Sequence, residues 1–112
     1  MAQFEFVAWL AKWILEQDIF DFEWDHGNST KNMQKHAVNA ESAEQVFMNK
    51  DLLVPLGIQI SPEANEPRFG VLGTDFSGKC ISICFTIREG RIRIISARPM
   101  SKIERKNYES IR

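Results

Sequence analysis

The sequence predicts an α+β fold: an antiparallel sheet of about four strands over residues 52 to 98, with helices packed mainly on one face. Apolar and polar residues alternate in three late runs, RFGVLGT, KCISICFTIR and RIRIISAR, which is the period of a half-buried strand. Turn-forming residues separate these runs, DFSG after the first and Glu89-Gly90 after the second. Residues 3 to 17, 40 to 48 and 99 to 110 instead repeat apolar side chains at helical spacing.

Taken in order, the first element is QFEFVAWLAKWILEQ at 3 to 17. Phe6, Leu10, Trp13 and Ile14 share one side of this helix, and Glu5, Lys12 and Glu16 group on the other. Phe4, Val7, Trp9 and Leu15 widen the apolar face, so the helix needs a large cover, either its own core or another chain; its own core is the expected one. Next, Phe20, Phe22 and Trp24 alternate with Asp21 and Glu23 as a short half-buried strand. The polar stretch DHGNSTKNMQKH is a loop running into a short polar helix through Asn32, Lys35 and His36.

Asn39 is placed to cap a helix at 40 to 48, whose apolar stripe is Ala43, Val46 and Phe47. Val54, Leu56, Ile58 and Ile60 then alternate with Pro55, Gly57 and Gln59, and the proline puts that strand at an edge. SPEANEP at 61 to 67 is a loop. The last two strands join as a tight hairpin across Glu89-Gly90. Pro99 suits the first turn of a closing helix over 99 to 110. Strict alternation in RIRIISAR puts Ile92, Ile94 and Ser96 on the face of Arg98, and Arg91 and Arg93 with Ile95 and Ala97.

A chain of 112 residues, 44% hydrophobic and 26% charged, reads as a single domain, 1–112, with residues 1–18 an added amphipathic helix. The net charge of −1 argues against a generally basic nucleic-acid binder. The charge is uneven, however: residues 1 to 87 hold 6 Lys/Arg and 12 Asp/Glu, whereas residues 88 to 112 hold 8 and 3. That basic last quarter either contacts phosphates or an acidic partner, or is a solvated surface balanced in space. Cys80 and Cys84 lie about 13 Å apart along one strand, too far for a disulfide, and read as small buried thiols of a reduced, cytoplasmic protein. The N-terminal apolar stretch lacks a positive leader and is interrupted by charges, which fits neither a signal peptide nor a membrane span. Two His and two Cys without ligand spacing give no metal site, and no Gly-rich phosphate loop is present.

Several motifs fall in one order: FEWD at 22 to 25, Asn32, Lys35-His36, Val46-Phe47, Glu66-x-Arg68, Gly73, Gly78, and RIISAR followed by Glu104, Arg105 and Tyr108. Over about residues 20 to 108 this resembles the BrnT toxins, RelE-like ribonucleases that pair with the ribbon-helix-helix antitoxin BrnA. The resemblance implies a RelE-like fold and the toxin of a type II toxin–antitoxin system, a metal-independent endoribonuclease that inhibits translation and growth. It further implies no cofactor, an RNA substrate, a BrnA-like antitoxin partner, and assembly as a homodimer or a heterotetramer with the antitoxin. The chain departs from the family pattern at His26 and Asn28 after the EWD motif, at Ala37, at Asn49-Lys50 and at Pro99-Met100.

Cleaving RNA through its own 2′-hydroxyl needs a base, an acid, and cations around the charged phosphate. Lys35 and His36 suit the proton transfers, and Arg68, Arg93 and Arg98 suit the phosphate, so these five are the candidate catalytic residues. Arg91, Lys102, Arg105 and Tyr108 are candidate RNA contacts. Each also has a structural reading: Arg68 paired with Glu66, Arg98 paired with Glu104, Tyr108 packing the last helix on the sheet, and Trp9, Trp13 and Trp24 as core or interface anchors. Two functional classes follow, an RNA-cleaving toxin and a non-catalytic RNA- or protein-binding module of the same fold.

Overall fold

The computed structural model describes residues 4–24, 38–59 and 67–111. An antiparallel meander forms its centre: β3 (Val54–Gln59), β4 (Phe69–Thr74), β5 (Cys80–Arg88) and β6 (Arg91–Pro99). A two-residue strand extends each edge, β1 (Phe4–Glu5) antiparallel to β3 and β2 (Phe22–Glu23) parallel to β6. Among the described residues the sheet is therefore mixed, with six strands rather than four antiparallel ones. The alternation at residues 20 to 24 matches β2, whereas the two residues of β1 are too few to show a period of their own.

The described helices are α1 (Ala8–Glu16), α2 (Ala40–Met48) and α3 (Lys102–Ile111). On one face of the sheet, Phe69, Val71, Ile81, Ile83, Phe85, Ile92, Ile94 and Ala97 form the core with Leu10 and Ile14 of α1 and Ala43, Val46 and Phe47 of α2. Edge-to-face contact of Phe47 with Phe85, centroids 5.0 Å apart, locks α2 to the sheet. Gly73 lies beneath α2, where a Cβ would come 2.5 Å from Val46 Cγ1, so only glycine lets the helix approach this closely. The N-terminal helix thus packs on its own core. None of the described helices is long and apolar enough to cross a membrane.

The described helices are thus mainly on one face, as α1 and α2 are, while the third lies on the other. Tyr108 of α3 is fully buried; its hydroxyl lies 2.9 Å from Thr74 Oγ1 and donates to the Leu52 carbonyl. Thr74 follows Gly73 on β4 and faces away from the core, which fixes α3 to that side.

Local signals explain most boundaries. The Asn39 side chain accepts the Ser42 N–H at 2.8 Å and starts α2. Glu89 and Gly90 both take positive φ, 51° and 77°, as a two-residue hairpin between right-twisted strands requires. Two expectations change. Phe4 and Glu5 leave the N-terminal helix to pair with Gln59 and Ile58, which leaves Phe6 64% exposed instead of in the buried stripe. Pro99 ends β6 rather than opening a helix, because Ser101 and Glu104 form a reciprocal capping box that starts α3 at Lys102.

A β-bulge makes the most consequential change. The register pairs Cys84 with Ser96 but Phe85 with Ile94, so Ile95 is an extra residue on β6. Past it the alternation inverts: Ile92, Ile94 and Ala97 are buried in the core, while Arg91, Arg93, Ser96 and Arg98 share the opposite face. Strict alternation had separated Arg98 from Arg91 and Arg93.

Candidate functional site

Arginines concentrate on the sheet face away from α1 and α2. Arg91 stands opposite Arg88, Arg93 opposite Thr86 and Arg98 opposite Ser82, all on one side of the β5–β6 ladder. Arg68, just before β4, reaches the same side. Between this face and α3 runs a groove of about 630 Å³, into which Arg68, Arg98, Gln59, Ser82, Cys84, Ser96 and Phe4 project. Ile103, Glu104, Asn107 and Ile111 of α3 form its far wall.

Arg98 is held end-on by Glu104, with Nη1 donating to Oε1 at 2.6 Å and Nη2 to Oε2 at 2.9 Å. The remaining Nη1 proton reaches the Pro99 carbonyl at 3.2 Å. A guanidinium has five N–H groups, so Nε–H and the outer Nη2–H are left as a second fork, free of any described hydrogen-bond acceptor. Burial pushes the Glu104 carboxyl up, but its bonds from Arg98 and from Ser101 outweigh this and hold it below the usual range. The same hydrogen bond keeps the Arg98 guanidinium charged, its pKa raised. Arg68 has no ion-pair partner among the described residues, and it lies close enough to Cys84 to oppose, in part, the rise that burial causes in that thiol's pKa.

Of the five candidate catalytic residues, Arg68 and Arg98 share the groove. Arg93 stands on the same face nearer the hairpin, outside the groove lining. Lys35 and His36 lie outside the described residues, as do His26, Asn28 and Glu66. Among the candidate RNA contacts, Arg91 pairs with Asp21 at 3.1 Å, and Lys102 and Arg105 are exposed on α3. Tyr108 is buried, so its ring offers no face to a base and its part is to hold α3 on the sheet. Cys80 and Cys84 are free thiols. Sequence reasoning missed Gln59, Ser82 and Phe4 as groove residues; only the strand pairing of Phe4 with Gln59, across 54 intervening positions, brings the last of them there.

Comparison with protein families adds the decisive observation: the family described as the ribonuclease toxin BrnT of type II toxin–antitoxin systems matches residues 24–104. The chain belongs to the BrnT toxin family. Its members act as ribonuclease toxins that are paired with an antitoxin, which gives this chain its general role and its class of partner. The crystal structure of the Brucella abortus ribonuclease toxin BrnT superposes with a TM-score of 0.55 at 19% identity, covering 75% of this chain and 100% of that one, and so shares its fold. No curated protein matches the sequence. The family match begins at Trp24, leaving β1, α1 and β2 as features outside it.

Proposed function

We propose that this BrnT toxin is a cytoplasmic endoribonuclease that cuts RNA without a metal, using the RNA's own 2′-hydroxyl, and thereby arrests translation and growth. The observation that carries this reading is the groove lined by both Arg68 and Arg98, the latter with a second fork that no described residue occupies. Two guanidinium forks on one anion suit a phosphate whose charge grows during attack, and they act most strongly when held in place beforehand. Lys35 and His36 supply the proton transfers in this scheme, a role to which an imidazole is suited because free imidazole changes charge near neutral pH. The 2′-oxygen attacks the adjacent phosphorus, the bond to the 5′-oxygen breaks, and that oxygen takes a proton; the products are a 2′,3′-cyclic phosphate and a free 5′-hydroxyl. The partner in this proposal is a BrnA-like ribbon-helix-helix antitoxin, assembled with the toxin as a heterotetramer.

A second reading, a non-catalytic module that binds RNA or protein, has its own support in the Glu104 carboxylate that already occupies one fork of Arg98. The two are separated by expressing Arg98→Ala, His36→Ala and Arg105→Ala, each confirmed as folded, and scoring growth arrest and RNA cleavage. Loss of a clamping arginine costs about 3 kcal/mol, roughly a hundredfold in rate, whereas exposed Arg105 costs little. Folded Arg98→Ala and His36→Ala variants that were both as toxic as the parent would replace the enzyme with the binding module. Cleavage that stops in EDTA would instead overturn the metal-free mechanism and leave an enzyme in place.

A further inference from the structure

We infer that Phe4, carried into the groove by the N-terminal extension, is a base-stacking residue that selects which nucleotide sits beside the phosphate clamp; this rests on the ribonuclease reading above. Phe4 lies outside the family match, which begins at Trp24. Strand β1 nevertheless sets it beside Gln59 at the edge of the sheet, on the arginine-bearing face. Its ring lies over Gly70, where a Cβ would come 2.6 Å from Cε1, so the bare backbone there makes room for an aromatic side chain.

Three kinds of group then meet at one end of the groove: the Phe4 ring, the Gln59 amide and the Arg68 guanidinium, which has no ion-pair partner among the described residues. Single-stranded RNA is read by this combination, an aromatic surface for the base, an amide for its edge and a cation for its phosphate. The Cys84 thiol, kept protonated by burial, lies 3.8 Å from Gln59 Oε1 and orients the amide, leaving its NH₂ for the base edge. Charge favours the same occupant. Among the described residues, Arg68 and Arg98 face the groove against one carboxylate, Glu104, so these residues give it net positive charge, which suits an anion. A purely apolar segment would leave Arg68 unmatched.

The test uses the full-length chain and fluorescently labelled single-stranded RNA with 2′-O-methyl groups, which cannot be cut. Phe4→Ala, Phe4→Leu and Phe4→Trp are compared by binding anisotropy after thermal melts confirm folding. Losing one stacked base weakens binding about tenfold, so Ala and Leu should show that loss while Trp keeps the parent affinity. An abasic residue moved along the RNA should erase the difference between parent and Phe4→Leu at one position only, which a merely structural phenylalanine would not do. A folded Phe4→Leu that binds every RNA like the parent overturns the proposal while leaving cleavage, measured separately on unmodified RNA, to stand. A parent that binds no RNA overturns it together with the reading beneath it. A Phe4→Leu variant that keeps RNA affinity but no longer binds a BrnA-like antitoxin would put a protein in the groove, and the base-stacking role would fall.

Discussion

Replacing Glu104 by Gln removes one negative charge and keeps the helix cap, since an amide at the third helical position still accepts from the Ser101 N–H. The carboxylate is 17% exposed and accepts from Arg98 twice, from the Ser101 N–H at 2.9 Å and from the Ser82 hydroxyl at 3.3 Å. Hydrogen bonds to a charged group are worth more than neutral ones, but Arg98 is 41% exposed, so solvent screening reduces the difference to about 1 kcal/mol. At about 2.1 cal/mol/K per residue, 112 residues give an unfolding entropy near 0.24 kcal/mol/K, and the variant should melt about 4 °C lower at neutral pH. Acid removes that gap. Glu104 is held below the usual carboxylate range when folded, so its contribution is complete above the unfolded pKa and disappears as pH falls through the folded one. Circular-dichroism melts of both proteins, taken from neutrality downward, should converge as acid protonates the folded-state Glu104, at a pH below that at which a free carboxylate takes up its proton. Asp75, whose pKa burial raises but hydrogen bonds from Ser77 and Lys79 lower further, is acid-sensitive in both proteins and cancels in the comparison. Equal melting at neutral pH, or a gap that persists unchanged in acid, would refute the assigned pair.

Two further changes probe the parts that hold the groove. Tyr108→Phe removes the hydroxyl shared by Thr74 and Leu52 and should cost about 2 kcal/mol, roughly 8 °C in melting temperature, with RNA affinity per folded molecule unchanged; weaker RNA binding at an unchanged melting temperature would return this tyrosine to the interface. Deleting residues 1 to 18 uncovers the core beneath Leu10 and Ile14, each worth about 2 to 3 kcal/mol when buried, so the remainder should melt far lower or change its mass in solution; light scattering and melts that match the parent would show that α1 is dispensable.

The elements legible in the sequence are those specified by their own residues. Asn39 announces α2 through a side-chain bond three residues away, and Glu89-Gly90 announces the hairpin because both residues must take positive φ. What was not legible depends on residues far apart in the chain. Strand β2 was legible in the alternation of Phe20, Phe22 and Trp24, but β1 exists only because β3 offers it an edge, and its residues fitted the neighbouring helical pattern equally well. At the site, Arg98 was readable as the residue at a strand end beside a helix start, and Glu104 as its partner. Gln59 and Phe4 gave no local sign, since each is an ordinary strand residue until the sheet sets it beside Arg68.

The bulge at Ile95 explains how a strand that buries one face can carry three arginines. An uninterrupted strand from Arg91 to Arg98 would send the guanidinium of Arg98 to the opposite side from those of Arg91 and Arg93, and one side is the dry core under α1 and α2, where an unpaired cation is costly. A single extra residue shifts the phase between the two halves of β6, so every arginine reaches the wet face and every gap in the core is filled by Ile92, Ile94 and Ala97. The same shift gives the sheet one apolar face and one basic face, and α3, capped by the very glutamate that orients Arg98, walls the basic face into a groove. Folding and the candidate chemistry therefore depend on one irregularity: with Ile95 forced into strict register Arg98 would turn toward the core, whereas a chain lacking Ile95 altogether would keep all three arginines on the wet face as a regular strand.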